Sequence, residues 1–416
     1  MSDAPLPLTL ETARRLAVTK QGLSGKQPSR PSAAAICSIV REIAYVQWDP
    51  VPIVAPSHIL SLWARLGDFR VSDLERLLWK ERKLLLHWTP MASIVLAEDY
   101  PLYSSLMTRY PESLTSSWGN HRIRARQFLA EHADLRRTVR RELRNGPLTT
   151  GQFKEHAKTK RNDVEWAFSS DLSQMLFHLL MSGEVMVVGH EGNQNLWGLT
   201  EQFLPSEVET EPLSKEAFER ESAQRAIRAL GTATAREITY YFPRGRYERL
   251  QAALDGLEEA SAIRRVAVDG VADRKVRYVH TQDLPLLATV DSSGWEPRVS
   301  LLPPFDNLIG SSARTKSLFG FDYVREQFLP PEKRRYGTYV LPILWGERLI
   351  GRIDPRMDRD RGVLMVNSVH AEPDAPRDRE LAARIGETID RLAAFLGAGR
   401  VAYSRKVPAA WRSSLR

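Results

Sequence analysis

Residues 172–199, LSQMLFHLLMSGEVMVVGHEGNQNLWGL, decide the fold class of this chain. Apolar residues recur at the i, i+3, i+4, i+7 spacing of one helix face: Leu172, Met175, Leu176 and Leu179. Gly183 ends this helix, an apolar run follows over 185–188, and Gly192-Asn193 supplies the turn of a hairpin. A helix followed directly by a hairpin is the second half of a winged helix.

The preceding residues supply the first half of the same unit. Leu135, Val139 and Leu143 mark one helix face, and Gly146-Pro147 stops that helix. Thr149 or Thr150 then caps a short second helix that contains Phe153. The order helix, helix, helix, hairpin is that of a helix-turn-helix with a β-wing.

The same order recurs on both sides of this unit. Downstream, Thr234 and Glu237 form a capping box between two helical patterns, a third helix follows over 250–257, and 263–278 predicts a hairpin. Near the N-terminus the helical faces lie within 10–17, 36–43 and 59–66, with a longer wing after them. Three such units in a row indicate a modular nucleic-acid binder.

The last part of the chain has a different pattern. Residues 337–344 and 349–354 predict a hairpin, 363–369 a third strand and 381–395 a closing helix. We therefore predict an α+β protein of three tandem winged-helix units and a small C-terminal β-rich domain closed by a helix. The predicted boundaries are 1–125, 126–208, 209–290 and 291–416.

Charge and cysteine content narrow the function classes. The net charge is +8 and the pI about 9.5, which favours a polyanionic partner. Cys37 is the only cysteine, so internal disulfides, iron–sulfur clusters and multi-cysteine zinc sites are excluded. We expect a cytoplasmic protein without a cofactor or metal and without a membrane span.

The segment 45–50, YVQWDP, is the strongest candidate for chemistry. If it is extended, Gln47 and Asp49 share one face with Cα atoms ~7 Å apart, so both side chains can hold one water. A carboxylate beside an amide suits activation of water next to a developing cation. The alternative is structural, because Asp49 before Pro50 is also a common helix cap with proline at the first helical position.

Other catalytic signatures are missing from the sequence. The histidines lack paired metal-ligand spacing, and there is neither a phosphate-binding G-x-x-x-x-G-K-[ST] loop nor a G-x-S-x-G elbow. These absences speak against ATP-driven and esterase functions.

The chain resembles the AlkZ/YcaQ-type bacterial DNA glycosylases over nearly its whole length. The resemblance is carried by separated blocks in the same order: 45–51 (YVQWDPV), 58–68 (HILSLWARLGD), 98–101 (EDYP), 304–308 (PFDNL), 314–315 (RT), 318–323 (LFGFDY) and 333–337 (KRRYG). The family is known for three tandem winged helices and a catalytic Gln-x-Gln or Gln-x-Asp pair.

The resemblance implies hydrolysis of the N-glycosidic bond of alkylated purines, chiefly N7-alkylguanine. It assigns Asp49 as general base and electrostatic stabiliser and Gln47 as the residue that positions water. Asp in the second place is typical of the branch that also unhooks interstrand crosslinks. Because a bulky crosslink resists extrusion from the duplex, we expect the reaction on a largely stacked nucleotide.

The expected partner is double-stranded DNA with alkylated bases or crosslinks, bound by a monomer. Lys160 and Arg161 are predicted phosphate contacts, and Asn193 at the wing tip is predicted to reach a groove. His58, Asp306 and Asn307 complete the predicted DNA contacts, because they lie in blocks shared with the family.

Two other functions remain open at this point. A non-catalytic winged-helix regulator would bind one DNA sequence tightly and would not depend on Gln47 and Asp49. A protein–protein interaction module would bind DNA weakly and without steep salt dependence. A bifunctional glycosylase-lyase needs an amine nucleophile, and since no lysine stands out, we expect the monofunctional reaction.

Overall fold

The computed structural model describes residues 4–88, 91–114, 120–153, 171–271, 275–404, 406–409, 411 and 415. Within these ranges the helices are α1 (Leu10–Lys20), α2 (Ala33–Ile43), α3 (Ser57–Leu66), α4 (Val71–Glu75), α5 (Tyr100–Met107), α6 (His121–Glu131), α7 (Ala133–Leu143), α8 (Asp171–Met181), α9 (Thr200–Phe203), α10 (Lys215–Leu230), α11 (Ala235–Tyr241), α12 (Leu250–Glu259), α13 (Leu284–Asp291), α14 (Ser312–Phe319) and α15 (Arg379–Phe395).

The strands are short except in the C-terminal region. They are β1 (Leu6–Leu8), β2 (Val46–Gln47), β3 (Leu84–Trp88), β4 (Ala92–Leu96), β5 (Leu148–Thr149), β6 (Val185–Glu191), β7 (Gln194–Leu199), β8 (Ile263–Val268), β9 (Arg277–His280), β10 (Val299–Leu301), β11 (Leu341–Trp345), β12 (Arg348–Asp358), β13 (Val363–Ala371) and β14 (Arg400–Tyr403). The mixed α+β class is confirmed.

Contact density divides the chain into two compact units. Unit 1 comprises residues 1–71, 224–241 and 254–416, and unit 2 comprises 72–223 and 242–253. The units do not test the four predicted boundaries, which stay a prediction. No helix in the described ranges is long and apolar enough to cross a membrane.

Unit 2 contains the segment that decided the fold class. The predicted face of α8 is buried, and α7 presents Val139 and Leu143 to the core without exposed surface. The hairpin β6–β7 turns at Gly192, whose φ of +56° suits glycine, and β5 extends it to the order β5-β7-β6. The second helix predicted around Phe153 falls largely outside the described residues.

Unit 1 contains α11, the hairpin β8–β9 and the C-terminal parts of α10 and α12 from the downstream winged-helix pattern. The capping box that opens α11 is formed, because Thr234 N donates to Glu237 Oε2 (2.9 Å) and Glu237 N donates to Thr234 Oγ1 (3.2 Å). The hairpin β8–β9 follows α12 as predicted. An unforeseen strand, β1, pairs in parallel with β8, so the sheet order is β1-β8-β9.

The C-terminal region of unit 1 forms one five-stranded sheet. The predicted strands β11, β12 and β13 and the closing helix α15 are present. Two further strands, β10 and β14, were not predicted from the sequence; they add an antiparallel and a parallel edge to give the order β10-β11-β12-β13-β14. Helix α1 packs into the same core, where Ala13, Ala17 and Val18 meet Leu302 and Leu344.

Candidate functional site

The residues Gln47 and Asp49 follow a strained turn at the end of α2. Ala44 ends the helix with φ +66°, a backbone conformation that residues other than glycine rarely adopt. The Tyr241 hydroxyl donates to Ile43 O (2.7 Å), and Asn307 Nδ2 donates to Tyr45 O (2.9 Å). These buried donors hold the backbone that leads into β2 and Gln47.

A buried polar network lies behind this turn. Arg65 donates to both carboxylate oxygens of Asp306 at 2.6 and 3.1 Å, and both side chains have no exposed surface. Arg65 also donates to Gln21 Oε1 (3.1 Å), and Gln21 Nε2 donates to the Tyr241 hydroxyl (3.2 Å). Bidentate pairing fixes direction as well as distance, so the network gives the turn a rigid support.

Asp49 does not cap a helix, which removes the structural alternative considered for it. Helix α3 begins only at Ser57, and Pro56 stands at its cap position. Asp49 Oδ1 accepts from Val51 N at 3.3 Å, and Ser57 N donates to the Asp49 carbonyl at 3.0 Å. The carboxylate therefore closes a local turn and stays available for chemistry.

Burial shapes the chemistry of this carboxylate. Asp49 Oδ2 is buried and accepts no hydrogen bond from a group in the described part of the protein. Desolvation raises the pKa of Asp49, while the Val51 N–H opposes that effect. A carboxylate with a desolvated oxygen and a raised pKa is a better proton acceptor than an exposed aspartate.

The structure adds Tyr339 and Ser57 to the site, and sequence reasoning missed both. Burial raises the pKa of Tyr339 above its ordinary range, the Asp49 carboxylate raises it further, and the Ser57 hydroxyl lowers it. Asp354 fixes this segment, because its Oδ1 accepts from Tyr339 N at 3.0 Å. The family-like block 333–337 ends just before Tyr339, which was the only signal in the sequence.

The open side of the site is formed by the residues after Asp49. Pro50 is exposed, and Val51 has an exposed fraction of 47%. Arg359 anchors the following loop by donating to Pro52 O and Val54 O, each at 2.9 Å. The site thus has a buried wall of carboxylate and phenol and an accessible rim.

The predicted DNA contacts fall into different environments. His58 is buried and stacks on Trp48 with ring centroids 4.0 Å apart, while Asp306 and Asn307 are buried in the network described above. Asn193 is exposed at the turn between β6 and β7 in unit 2. Lys160 and Arg161 lie outside the described residues. His58, Asp306 and Asn307 are all buried in the free protein, and their contact with DNA stays a prediction.

Arginines cluster over residues 122–144 of unit 2, and part of this arginine-rich run is paired within the protein. Arg136 and Arg140 both donate to Glu184, at 2.8 and 2.9 Å, and Arg137 pairs with Asp134. These pairs neutralise charge on one face of α7. Arg124, Arg141 and Arg144 are exposed on the same stretch.

Comparison with known proteins covers almost the whole chain. Residues 40–395 match the sequence model of the family described as DNA glycosylase AlkZ-like. The structure is similar to that of Streptomyces sahachiroi DNA glycosylase AlkZ, with a TM-score of 0.67 and 17% sequence identity. The similarity covers 97% of this chain and 100% of the Streptomyces chain.

Proposed function

Because the chain belongs to the AlkZ-like family of DNA glycosylases, we propose that it hydrolyses the N-glycosidic bond of N7-alkylated guanine, with Asp49 as general base. The observation that carries this assignment is the buried Asp49 Oδ2, which accepts no hydrogen bond from the described protein groups and belongs to a carboxyl with a raised pKa. Family membership makes DNA the substrate class and argues against a regulator without catalysis.

The chemistry of an N7-alkylated guanine explains why a carboxylate and an amide are enough for hydrolysis of its glycosidic bond. Alkylation at N7 gives the base a positive charge, so it leaves readily, and the sugar develops oxocarbenium character. Asp49 stabilises that positive charge and accepts the proton of the attacking water. Gln47, half-buried at the end of β2, orients the water through its side-chain amide.

Tyr339 contributes a neutral hydroxyl next to the carboxylate. Since burial and the Asp49 charge both raise its pKa, the phenol stays protonated at neutral pH. A protonated phenol can donate to Asp49 or to the water beside it. We propose that it meets the attacking water, since neither the Tyr339 hydroxyl nor Asp49 Oδ2 has a hydrogen-bond partner among the described residues.

The decisive experiment compares base release with DNA binding. We expect Asp49→Asn to slow the release of N7-methylguanine from methylated duplex DNA by at least about 100-fold, because it removes a general base and its charge. Gln47→Ala is expected to slow release less. Binding of both variants to the same duplex should stay near that of the wild type. No release by the wild type, on this or on a crosslinked duplex, would refute the proposal.

The assignment of Asp49 as general base leads to further proposals on the reaction type, the crosslinked substrate and the DNA contacts. We propose that the enzyme is monofunctional, so borohydride should trap no covalent protein–DNA adduct. Unhooking of an N7-linked interstrand crosslink uses the same bond cleavage and should be lost in Asp49→Asn. Lys160, Arg161 and Asn193 are proposed DNA contacts, and their alanine variants should weaken duplex binding and reduce its salt dependence.

A further inference from the structure

Phe328 exposes an unusual amount of apolar surface for a folded protein. Its exposed fraction is 71%, the largest among the large apolar side chains in the described ranges, and Val324 on the same loop is 53% exposed. Isolated exposed apolar residues are common, but an aromatic ring that stands clear of the surface beside a second apolar residue marks an interaction site.

The loop that carries Phe328 is held rigidly from below. The buried Glu326 carboxylate accepts from Tyr336 N (2.8 Å) and Gly337 N (3.1 Å). Arg325 donates to Pro304 O (2.8 Å) and Gly310 O (3.0 Å). Phe328 is therefore presented on a fixed base, which lowers the entropy cost of inserting it into a partner.

Two connections place Phe328 near the proposed reaction centre. The ring of Phe305 lies behind it with centroids 6.1 Å apart, and Phe305 directly precedes the Asp306 and Asn307 pair that supports the turn before Gln47. On the other side, the segment whose Tyr336 N and Gly337 N donate to the Glu326 carboxylate leads on to Tyr339. Chain geometry limits the separation of Phe328 from Tyr339 to about 25 Å, which is at most about seven base-pair steps.

The charge around the loop fits a duplex. Lys333 and Arg335 are exposed, and Arg334 between them holds the loop by donating to Leu329 O at 2.9 Å. We infer that Phe328 inserts at a base-pair step within about seven steps of the damaged nucleotide, while Lys333 and Arg335 contact the phosphates of that strand. Apolar wedges of this kind kink a duplex by partial unstacking. The inference rests on the proposed function, because that function places the damaged nucleotide at Asp49.

The test measures binding and base stacking without turnover. The probes are duplexes with one 2′-fluoro-stabilised N7-methylguanine and 2-aminopurine at one of the steps within about seven of it, and a control duplex carries 2-aminopurine far from the lesion. Wild-type protein should raise the fluorescence of one of the near probes and leave the distant one unchanged. Phe328→Ala should lose most of that rise and weaken binding about ten-fold, in line with the loss of one aromatic stacking contact.

Two further variants keep the result interpretable. Phe328→Trp should keep both the fluorescence rise and the affinity, and Met365→Ala, which removes an exposed apolar side chain on β13, should match the wild type. The inference is wrong if Phe328→Ala equals the wild type in both readouts, or if Met365→Ala is equally harmful. It is also wrong if Phe328→Ala changes only self-association in sedimentation, which would indicate a protein interface.

The readouts separate this inference from the proposed function. A wild type that releases no N7-methylguanine would refute the function, whatever Phe328 does. An active enzyme whose binding and 2-aminopurine signal ignore Phe328 would refute only the wedge.

Discussion

The surroundings of Asp49 disfavour the negative charge of its side chain. Its carboxylate is desolvated, and the one described hydrogen bond that it accepts comes from Val51 N. A general base must be ionised, so activity is expected to fall as the pH drops through the raised pKa of Asp49, above the ordinary value near 3.9. Single-turnover release of N7-methylguanine across the pH range, corrected for spontaneous depurination, measures this inflection.

Tyr339→Phe offers a sharper version of that test. The Tyr339 hydroxyl makes no hydrogen bond to Asp49 among the described residues but lies close enough to interact with its charge. Removing this polar group leaves the ionised carboxylate in less polar surroundings, so the inflection should move to higher pH. DNA binding should not change, because Tyr339 is buried. An inflection at the same pH as the wild type would mean that the hydroxyl does not stabilise the ionised carboxylate.

The raised pKa also has a consequence for stability. The folded state binds the Asp49 proton more tightly than the unfolded state, so stability falls as the pH rises from the unfolded pKa through the folded pKa. At neutral pH the ionised Asp49 lowers the free energy of unfolding. Because Asp49→Asn removes this charge, the variant should melt at the same or a higher temperature than the wild type. A clearly lower Tm of Asp49→Asn would show that the charge stabilises the fold.

Between elements, the Arg65–Asp306 pair joins α3 to the loop after β10. Both side chains are fully buried, so Asp306→Ala leaves an uncompensated charge and should destabilise unit 1 by about 3–5 kcal/mol. The double variant Asp306→Ala/Arg65→Met removes both charges and should recover part of that loss. Denaturant unfolding measures both, and a double variant less stable than the single one would contradict this explanation.

The elements that sequence analysis located have their signals close together in the chain. The face of α8, the capping box at Thr234 and the strands β11 to β13 all follow local periodicity or local caps. The strands it missed are short and depend on distant partners: β1 pairs with β8, and β10 and β14 form the edges of the five-stranded sheet. Local patterns carry no information about such pairings.

The residues of the candidate site divide in the same way, into those with a local sequence signal and those placed by contacts between distant parts of the chain. Gln47 and Asp49 could be found because they stand in one contiguous segment that resembles a family motif. The roles of Asn307 and Asp306 could not be predicted, because their buried contacts to Tyr45 and Arg65 join parts of the chain far apart in sequence. Tyr339 was missed because an isolated tyrosine is usually a core residue.

At the scale of the molecule, β1 ties the N-terminal residues to the wing of the downstream winged-helix pattern. Leu8 is 8% exposed and packs with Leu16, Val266 and Val279. Deleting residues 1–8 should lower stability by about 1.5–3 kcal/mol for the buried leucine alone. Thermal unfolding of the truncated chain measures the effect, and an unchanged Tm would show that the strand adds nothing.

Unit 1 is built from three separate stretches of the chain, so its parts are synthesised at different times. Asn307 follows Tyr45, whose carbonyl it holds, by 262 positions. A ribosome that adds 5–20 residues per second needs roughly 13–50 s to cover that interval. The Gln47–Asp49 segment therefore leaves the ribosome long before the residues that shape it, and a chain released early carries the motif without its support. The support of the Gln47–Asp49 segment can therefore form only after residue 307 has been added, and chains that end earlier lack the donor to Tyr45 O.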